Sequence, residues 1–226
     1  MCSRYALTSP PDAVRATFGH RNAMDYPPRY NIAPTQPVAI VRLDHARQRE
    51  ITLVRWGLIP SWAKDLSKIS TLINARSETA AEKASFRGSM RHKRCLVPAD
   101  AFYEWTGPTG SKQPHMFRPA AGGPMAFAGL WDHWLGADGS EIETMAILTV
   151  AANANVGRIH DRMPVILPPA RFEAWLDVSS GQSGAAEAML APAPDDFFEV
   201  VQVSKKLNSH RNEGPEVQEV VGRMLI

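Results

Sequence analysis

The sequence has few cysteines and no long apolar run. Only Cys2 and Cys95 are present among 226 residues, which excludes a disulfide framework and a cysteine-rich zinc site and is typical of a reducing compartment. No apolar stretch approaches the roughly 20 residues of a membrane-spanning helix. The first residues also lack the charged segment and apolar run of a signal peptide. We therefore expect a cytoplasmic protein.

Metal-binding patterns are missing as well. The sequence contains neither an HExxH nor a CxxC motif, and its seven histidines lie without the spacing of zinc ligands. We accordingly expect no metal and no other cofactor.

A large net charge is also absent, because the formal net charge is only +2. The two halves of the chain differ, however. Residues 1–113 contain 17 Lys and Arg against 9 Asp and Glu, whereas residues 114–226 contain 8 against 14. Most of the basic residues in the first half are arginines, whose planar fork binds phosphate oxygens. This distribution indicates either a polyanionic partner or a solvated basic face.

Short β-rich runs dominate the chain. Val38–Val41 and Ile51–Trp56 flank a polar segment and predict a hairpin, and Ala13–Phe18 predicts a short helix that stops at Gly19. Further β-rich runs follow without a regular alternation of strand and helix. The sequence therefore predicts one α+β domain over residues 1–226, built around a twisted, partly closed, barrel-like sheet with peripheral helices.

Two local predictions concern segments that matter below. Residues 26–34 contain three prolines, too many for a helix or a central strand, so we expect an ordered surface loop. Ser77 has the character of a helix N-cap, with a helix running to about Ala84. Asn74 and Arg76 would then lie at the approach to the helix N-terminus, where backbone N–H groups favour an anion.

The N-terminus carries a potentially reactive pair of groups. An initiator Met is removed when the next side chain is as small as Cys, and Cys2 would then carry both a free α-amine and a thiol, with ordinary pKa values of about 8 and about 8.5. Such a 1,2-aminothiol captures an aldehyde: the amine forms an imine, and the thiol closes a five-membered thiazolidine on the same carbon. The alternative is a mobile terminus without a chemical role.

Three polar residues lie in settings that call for an explanation. Glu104 stands between two aromatic residues in an apolar strand, where burial of a carboxylate is costly unless it is paired or transfers protons; a solvent-facing strand position is the alternative. Asn74 precedes a predicted helix and is either a functional amide or a turn residue. His160 is either a proton-transfer group or an ordinary hydrogen-bonded histidine. Together with Cys2 they supply the residue types for aldehyde capture or acyl transfer.

Tryptophans neighbour these candidates. Trp62 lies in the basic half and Trp105 follows Glu104 directly. Stacking on aromatic rings, combined with Arg–phosphate contacts, holds single-stranded nucleic acids without sequence readout. Burial in the core is the alternative for both rings.

Six segments, taken in order, resemble one known family. They are Cys2 with Arg4, Tyr30–Pro34, Trp56–Pro60, Asn74–Thr79, Phe102–Trp105 and Ile159–Pro164. As a set they resemble the SOS-response-associated peptidase (SRAP) family, whose members process abasic sites in single-stranded DNA. Any one segment would be weak support, but the six cover nearly the whole chain, from Cys2 to about Val203.

The resemblance implies a basic cleft for single-stranded DNA, often at a junction with duplex. It implies that Cys2, once Met1 is removed, forms a thiazolidine crosslink with the ring-opened abasic sugar and so shields the strand from cleavage. Asn74 and Glu104 would position and protonate the reacting groups, and His160 would assist proton transfer. The positions expected near the DNA backbone are Arg4, Arg76, Thr149 and Arg162, and those expected to pack against bases or the sugar are Pro34, Trp62 and Trp105.

Two positions depart from the family pattern. Ser3 stands where the family usually has Gly after the Cys, and Ala101 stands where it often has Gly before the Phe-Tyr-Glu-Trp segment. Ser3 reduces backbone freedom next to the nucleophile, so we expect it to affect the rate more than the type of reaction.

Two other functions stay open from the sequence. One is a thiol peptidase that uses Cys2, His160 and Asn74, with activity limited to removal of its own Met1. The other is a non-catalytic module that binds single-stranded DNA in a salt-sensitive way. We expect a DNA-repair protein of the SOS response with crosslinking or lyase-type activity, monomeric, and associated with the nucleoid when it acts on DNA.

Overall fold

A computed structural model describes residues 2–64 and 70–223. These residues form fourteen β-strands and six short α-helices. The strands are β1 (Tyr5–Leu7), β2 (Arg29–Ile32), β3 (Pro37–Leu43), β4 (Arg49–Trp56), β5 (Asn74–Arg76), β6 (Arg94–Ala99), β7 (Ala101–Thr106), β8 (Gln113–Pro119), β9 (Met125–Leu135), β10 (Glu141–Ala151), β11 (Arg162–Pro164), β12 (Ile166–Leu167), β13 (Phe198–Val203) and β14 (Val220–Arg223). The helices are α1 (Pro11–Phe18), α2 (Ser77–Ala80), α3 (Arg87–His92), α4 (Ala154–Gly157), α5 (Phe172–Leu176) and α6 (Gly184–Glu187).

Five strands close into a barrel. β10 pairs with β4, β3 and β6 follow in order, and β9 then pairs with both β6 and β10. The β10–β4 pair is parallel and the other four pairs are antiparallel. Strand β5 continues beyond β4 along β10, also in parallel, which places Asn74 opposite Ile147. The long strand β10 thereby fixes the position of β5 on the barrel.

A second sheet of six antiparallel strands lies beside the barrel in the order β14-β13-β8-β7-β1-β2. Strand β1 lies inside this sheet, where Tyr5 pairs with Ile32 of β2 on one side and with Phe102 of β7 on the other. The segment that precedes β1 is therefore held at the end of an internal strand.

The two sheets share one hydrophobic core. Tyr5 packs edge-on against Trp56 and Phe127 of the barrel, with ring centroids 5.2 and 5.8 Å apart. Phe102 packs against the same Phe127 at 6.4 Å. All four rings are fully buried, and such pairs add about 0.5–1.5 kcal/mol each to the free energy of unfolding beyond their burial. The predicted α+β architecture with a partly closed sheet is confirmed.

Two local predictions are also confirmed. The hairpin is formed by β3 and β4, with Val38 opposite Val54 and Val41 opposite Ile51. Helix α1 ends as expected, because Gly19 adopts a left-handed conformation with φ of 68° and its N–H donates to the Arg15 carbonyl, an arrangement that favours glycine.

Two others are wrong. The proline-rich segment contains a strand, β2, because its prolines lie on either side of residues 29–32 and β2 is an edge strand with one partner. Ser77 is the first residue of α2 and not its cap: Arg76 occupies the N-cap position without a side-chain cap bond, and the helix ends at Ala80. The segment before it is strand β5, so pairing with β10 sets the local conformation.

None of the helices within residues 2–64 and 70–223 has the length and apolar character needed to cross a membrane.

Candidate active site

Cys2 lies at the start of β1, between the six-stranded sheet and the barrel. Its side chain is fully buried in the main core, and Sγ lies 3.8 Å from the Arg4 carbonyl oxygen. That same carbonyl accepts a hydrogen bond from Tyr103 N at 3.1 Å. The chain is therefore ordered from Cys2 onward, in contrast to a mobile terminus.

Burial also controls the thiol. It raises the pKa of Cys2 far above the ordinary range, and negative charge on Glu104 acts in the same direction. The thiol is thus kept protonated in the folded protein, since a buried thiolate lacks solvation.

Asn74 reaches Cys2 from the barrel. Its Nδ2 donates to the Cys2 carbonyl oxygen at 2.8 Å, which joins β5 to the segment before β1. The Asn74 Oδ1 atom is buried and has no hydrogen-bond partner among the described residues. Leaving a buried amide oxygen without a hydrogen-bond donor costs free energy. This oxygen can therefore accept a hydrogen bond from a group that binds next to Cys2.

Glu104 reaches the same place from β7. Only 4% of its surface is exposed, and burial raises the pKa of its carboxyl, an effect that positive charge on His160 partly opposes. The carboxyl therefore holds a proton at a higher pH than an exposed Glu does. The alternative of a solvent-facing Glu104 does not hold.

His160 follows α4 and lies next to β11. Its Nδ1 accepts a hydrogen bond from Arg162 N at 3.0 Å, which leaves the proton of a neutral ring on Nε2. Asp161 Oδ1 also lies 3.0 Å from Nδ1, and the Asp161 side chain is 83% exposed.

The arginines expected at the DNA backbone occupy different environments. Arg162 forms a two-pronged ion pair with Glu78, with Nη1–Oε1 at 2.6 Å and Nη2–Oε2 at 2.8 Å, and Nη2 also donates to the Thr149 carbonyl at 2.6 Å. Thr149 itself is buried. Arg76, by contrast, is exposed. In the free protein Arg162 therefore braces α2 against β10, whereas Arg76 faces solvent.

Arg4 is partly engaged inside the protein. Its Nη1 donates to Asn31 Oδ1 at 2.8 Å and to the Leu207 carbonyl at 3.2 Å, and its guanidinium lies 6.0 Å from the Trp105 ring centroid. Asn31 is 1% exposed and is a functional neighbour that the sequence did not single out. It lay within a recognised segment, Tyr30–Pro34, but no local pattern indicated its contacts.

The predicted stacking residues are accessible to different extents. Trp62 is 56% exposed, and its indole N–H donates to the Ala84 carbonyl at 3.1 Å. Trp105 is half-buried and donates to Asn208 Oδ1 at 2.8 Å. Pro34 is half-buried on the loop after β2. The alternative of full burial in the core does not hold for either tryptophan.

The structure thus brings Cys2, Asn74 and Glu104 together where the two sheets meet, with His160 close enough to influence Glu104 electrostatically. Within the described part of the chain, no group of three or more His, Cys, Asp or Glu residues is arranged to hold a metal ion. The arrangement can supply a thiol, a buried acid, an amide and an imidazole.

Comparison with known proteins gives consistent matches. The model of the family described as SOS response associated peptidase (SRAP) matches residues 1–210. Abasic site processing protein YoqW of Bacillus subtilis is 38% identical over 223 residues, which cover 97% of this chain and 99% of the relative. Abasic site processing protein YoaM of the same organism is 36% identical over 228 residues, covering 99% and 100%. A crystal structure of a protein from Bacteroides thetaiotaomicron superimposes with a TM-score of 0.84 at 26% identity, covering 97% of this chain and 100% of that one.

Proposed function

Because the chain belongs to the SOS response associated peptidase family, we propose that it processes abasic sites in single-stranded DNA through a covalent thiazolidine formed by Cys2. The observation that carries this proposal is the placement of Cys2, whose carbonyl is held by Asn74 at 2.8 Å and whose thiol is coupled to the buried Glu104. We further propose that the protein acts as a monomer on single strands and on their junctions with duplex.

The first step is opening of the sugar. An abasic deoxyribose equilibrates between a cyclic hemiacetal and an open aldehyde, and only the aldehyde reacts with an amine. Glu104 donates its proton to the ring oxygen while the C1′ hydroxyl gives its proton to a water molecule, so the ring C–O bond breaks and the aldehyde forms. The raised pKa of the Glu104 carboxyl lets it act as this acid at a higher pH than an exposed Glu could.

The second step joins protein and DNA. The Cys2 α-amine attacks C1′ to give a carbinolamine, whose hydroxyl takes a proton from solvent and leaves as water, so that an iminium ion forms. The thiol sulfur then bonds to the same carbon, and the thiol proton passes to His160. The balance is one aldehyde plus one aminothiol giving one thiazolidine and one water. Since the Cys2 thiol is kept protonated by burial, the amine reacts first and the cationic iminium then draws in the sulfur.

Asn74 positions both partners in this scheme. Its Nδ2 fixes the Cys2 carbonyl, which limits where the amine and thiol can lie. Its buried Oδ1 is available to accept from the α-amine or from a sugar hydroxyl. Positioning of this kind lowers the barrier by supplying the reacting geometry in advance.

The test distinguishes the contribution of the Cys2 α-amine to adduct formation from that of the Cys2 thiol. Protein with Met1 removed is incubated with an oligonucleotide that bears one abasic site, and a denaturing gel reports the adduct. Cys2→Ser keeps the amine and should give only an imine that borohydride traps, whereas a retained Met1 or tag turns the Cys2 amine into an amide and should abolish the stable adduct. Cys95→Ala is the matched control, because it removes the other buried thiol. A stable adduct with Cys2→Ser, or none with the wild type, would overturn the proposal.

We also propose that the protein removes its own Met1. The family model is described as a peptidase, and Cys2 is buried, which favours action on the adjoining peptide bond over action on other proteins. Glu104→Gln retains Cys2 but lacks the acid, so intact mass should show Met1 retained in this variant and lost in the wild type. Loss of Met1 from both would assign the cleavage to a host aminopeptidase.

A further inference from the structure

The segment between β13 and β14 forms a basic loop, defined as residues 204–212. It contains four basic side chains and no acidic one, and all four are exposed: Lys205, Lys206, His210 and Arg211. A short 3₁₀ turn spans Lys205–Asn208. The loop belongs to the acidic half of the sequence, so its charge stands out from its surroundings.

The backbone of the basic loop is held by a buried amide. Asn31 Nδ2 lies 3.3, 3.0 and 2.9 Å from the carbonyl oxygens of Leu207, Ser209 and Asn212. Asn212 Nδ2 in turn donates to the Lys206 carbonyl at 2.8 Å. The loop therefore has a set conformation and is not a solvated run of charges.

The same anchors connect the basic loop to the candidate active site. Arg4, two residues after Cys2, donates to both Asn31 and the Leu207 carbonyl. Trp105, the residue after Glu104, donates to Asn208. The loop consequently lies beside the site on the six-stranded-sheet side, while Asn74 and Arg76 lie on the barrel side.

Three basic side chains of the loop lie outside every ion pair formed by the described residues. In the part of the chain that the structure describes, no ion pair involves Lys205, Lys206 or Arg211. The nearby acid, Glu213, lies 3.7 Å from Arg29. These three cations are thus available to an external anion.

We propose that the basic loop binds the phosphate backbone of the DNA strand on the Trp105 side of the abasic nucleotide. This proposal rests on the proposed function. It requires that the DNA strand run from the barrel side, past Cys2, to the basic loop on the side of the six-stranded sheet. Three cations on a fixed backbone match the repeated charge of a nucleic-acid strand, and a preformed loop loses little conformational entropy on binding. The contacts are independent of sequence because they involve phosphates only.

The test compares two triple variants of equal charge. Lys205→Ala/Lys206→Ala/Arg211→Ala removes the basic loop's charge, and Arg15→Ala/Arg21→Ala/Arg118→Ala removes three exposed arginines elsewhere. Binding to an intact single-stranded oligonucleotide is measured over a salt series. Loss of three phosphate contacts should reduce the slope of log K against log salt by about 2 and raise Kd at 0.1 M salt at least tenfold. The control triple should keep the wild-type slope.

Crosslinking to an abasic oligonucleotide is then followed as a function of DNA concentration. For the loop variant the half-saturating DNA concentration should rise at least tenfold. The crosslinking rate at saturating DNA should stay close to that of the wild type. An unchanged salt slope, or a loss that appears equally in the plateau rate, would overturn the proposal. Absence of any adduct with the wild type would instead overturn the proposed function, because binding to intact strands is measured separately.

Discussion

Glu104 is a carboxyl group whose burial disfavours its ionised form. A carboxyl that is 4% exposed gives up most of the hydration of its ionised form. The fold tolerates this at a strand position where an apolar residue would pack without such a loss. A destabilising group held at a reactive position is what a proton-transfer role requires.

The pH dependence of stability should report this. Burial raises the pKa of Glu104. The contribution of its protonated carboxyl to the free energy of unfolding is therefore fully present below the unfolded pKa of about 4.3 and is lost as pH rises through the folded pKa. Glu104→Gln keeps the shape without the charge. Its Tm should match the wild type near pH 4 and exceed it at pH 8.

Thermal unfolding from pH 4 to 9 checks this, with Glu187→Gln, on an exposed face of α6, as a control that should follow the wild type throughout. A Glu104→Gln protein less stable than the wild type at pH 8 would show that an ionised, well-paired carboxylate outweighs burial.

At the scale of elements, the Arg162–Glu78 pair joins three pieces of the site. Arg162 is the first residue of β11, Glu78 is in α2, and the Thr149 carbonyl that Arg162 also contacts is in β10. Strand β5, which carries Asn74, pairs with β10 and leads directly into α2. The pair therefore supports the strand that holds Cys2.

Removal of this pair should have a small, acid-sensitive effect. The hydrogen bonds from Arg162 lower the pKa of Glu78 to about 2, so the stabilisation is present above the unfolded pKa and is lost as pH falls toward 2. Since the Glu78 side chain is 48% exposed, Glu78→Gln should lower the free energy of unfolding at pH 7 by only about 0.5–1 kcal/mol.

Denaturant unfolding at pH 7 and at pH 2.5 measures the difference. Glu199→Gln is a suitable control, because it breaks the exposed ion pair with Arg118 at 2.7 Å. A Glu78→Gln effect as large at pH 2.5 as at pH 7 would mean that packing, and not charge, is responsible.

The sequence predicted those elements whose pattern is local. The β3–β4 hairpin and α1 were predictable because alternation and a terminal Gly are written in consecutive residues. The short strands β2 and β5 were not, since a three- or four-residue strand has no periodicity of its own and forms because a distant partner is present. Ser77 was misassigned for the same reason: pairing of residues 74–76 with β10 sets where α2 begins.

For the site, the identities of Cys2, Asn74 and Glu104 could be predicted, whereas their contacts could not. The 2.8 Å bond from Asn74 to Cys2 depends on parallel pairing of β5 with β10, which no local pattern specifies. Asn31 and the loop carbonyls that it contacts are 176 or more residues apart in the chain, so their connection became visible only in the fold.

For the whole molecule, the difference in charge between the two halves of the sequence does not divide the structure. The six-stranded sheet combines β1, β2 and β7 from the basic half with β13 and β14 from the acidic half, and β8 begins at the boundary between the halves. The basic loop of the second half consequently lies beside Arg4 of the first. Charge counted along the sequence therefore does not indicate which surface carries it.

The shared core should make the two sheets unfold together. Phe127 of the barrel contacts Tyr5 and Phe102 of the other sheet and is fully buried. Phe127→Ala should lower the free energy of unfolding by about 3–5 kcal/mol, with tryptophan fluorescence and far-UV circular dichroism still following a single transition.

Leu135→Ala, at the 59% exposed end of β9, should change the free energy of unfolding by no more than about 0.5 kcal/mol. Separate transitions for the two probes in Phe127→Ala would show that the sheets are independent units.

The internal position of β1 has a mechanical consequence. If DNA is attached at Cys2, any tension on the strand is applied to a segment that leads directly into β1, which is hydrogen-bonded on both sides. Force along β1 loads these bonds in shear, all at once, instead of opening them one by one as it would at a sheet edge. A motor that pulls on the attached DNA would then need a high force to unfold the protein. The protein would move with the DNA, or stop the motor, while still folded.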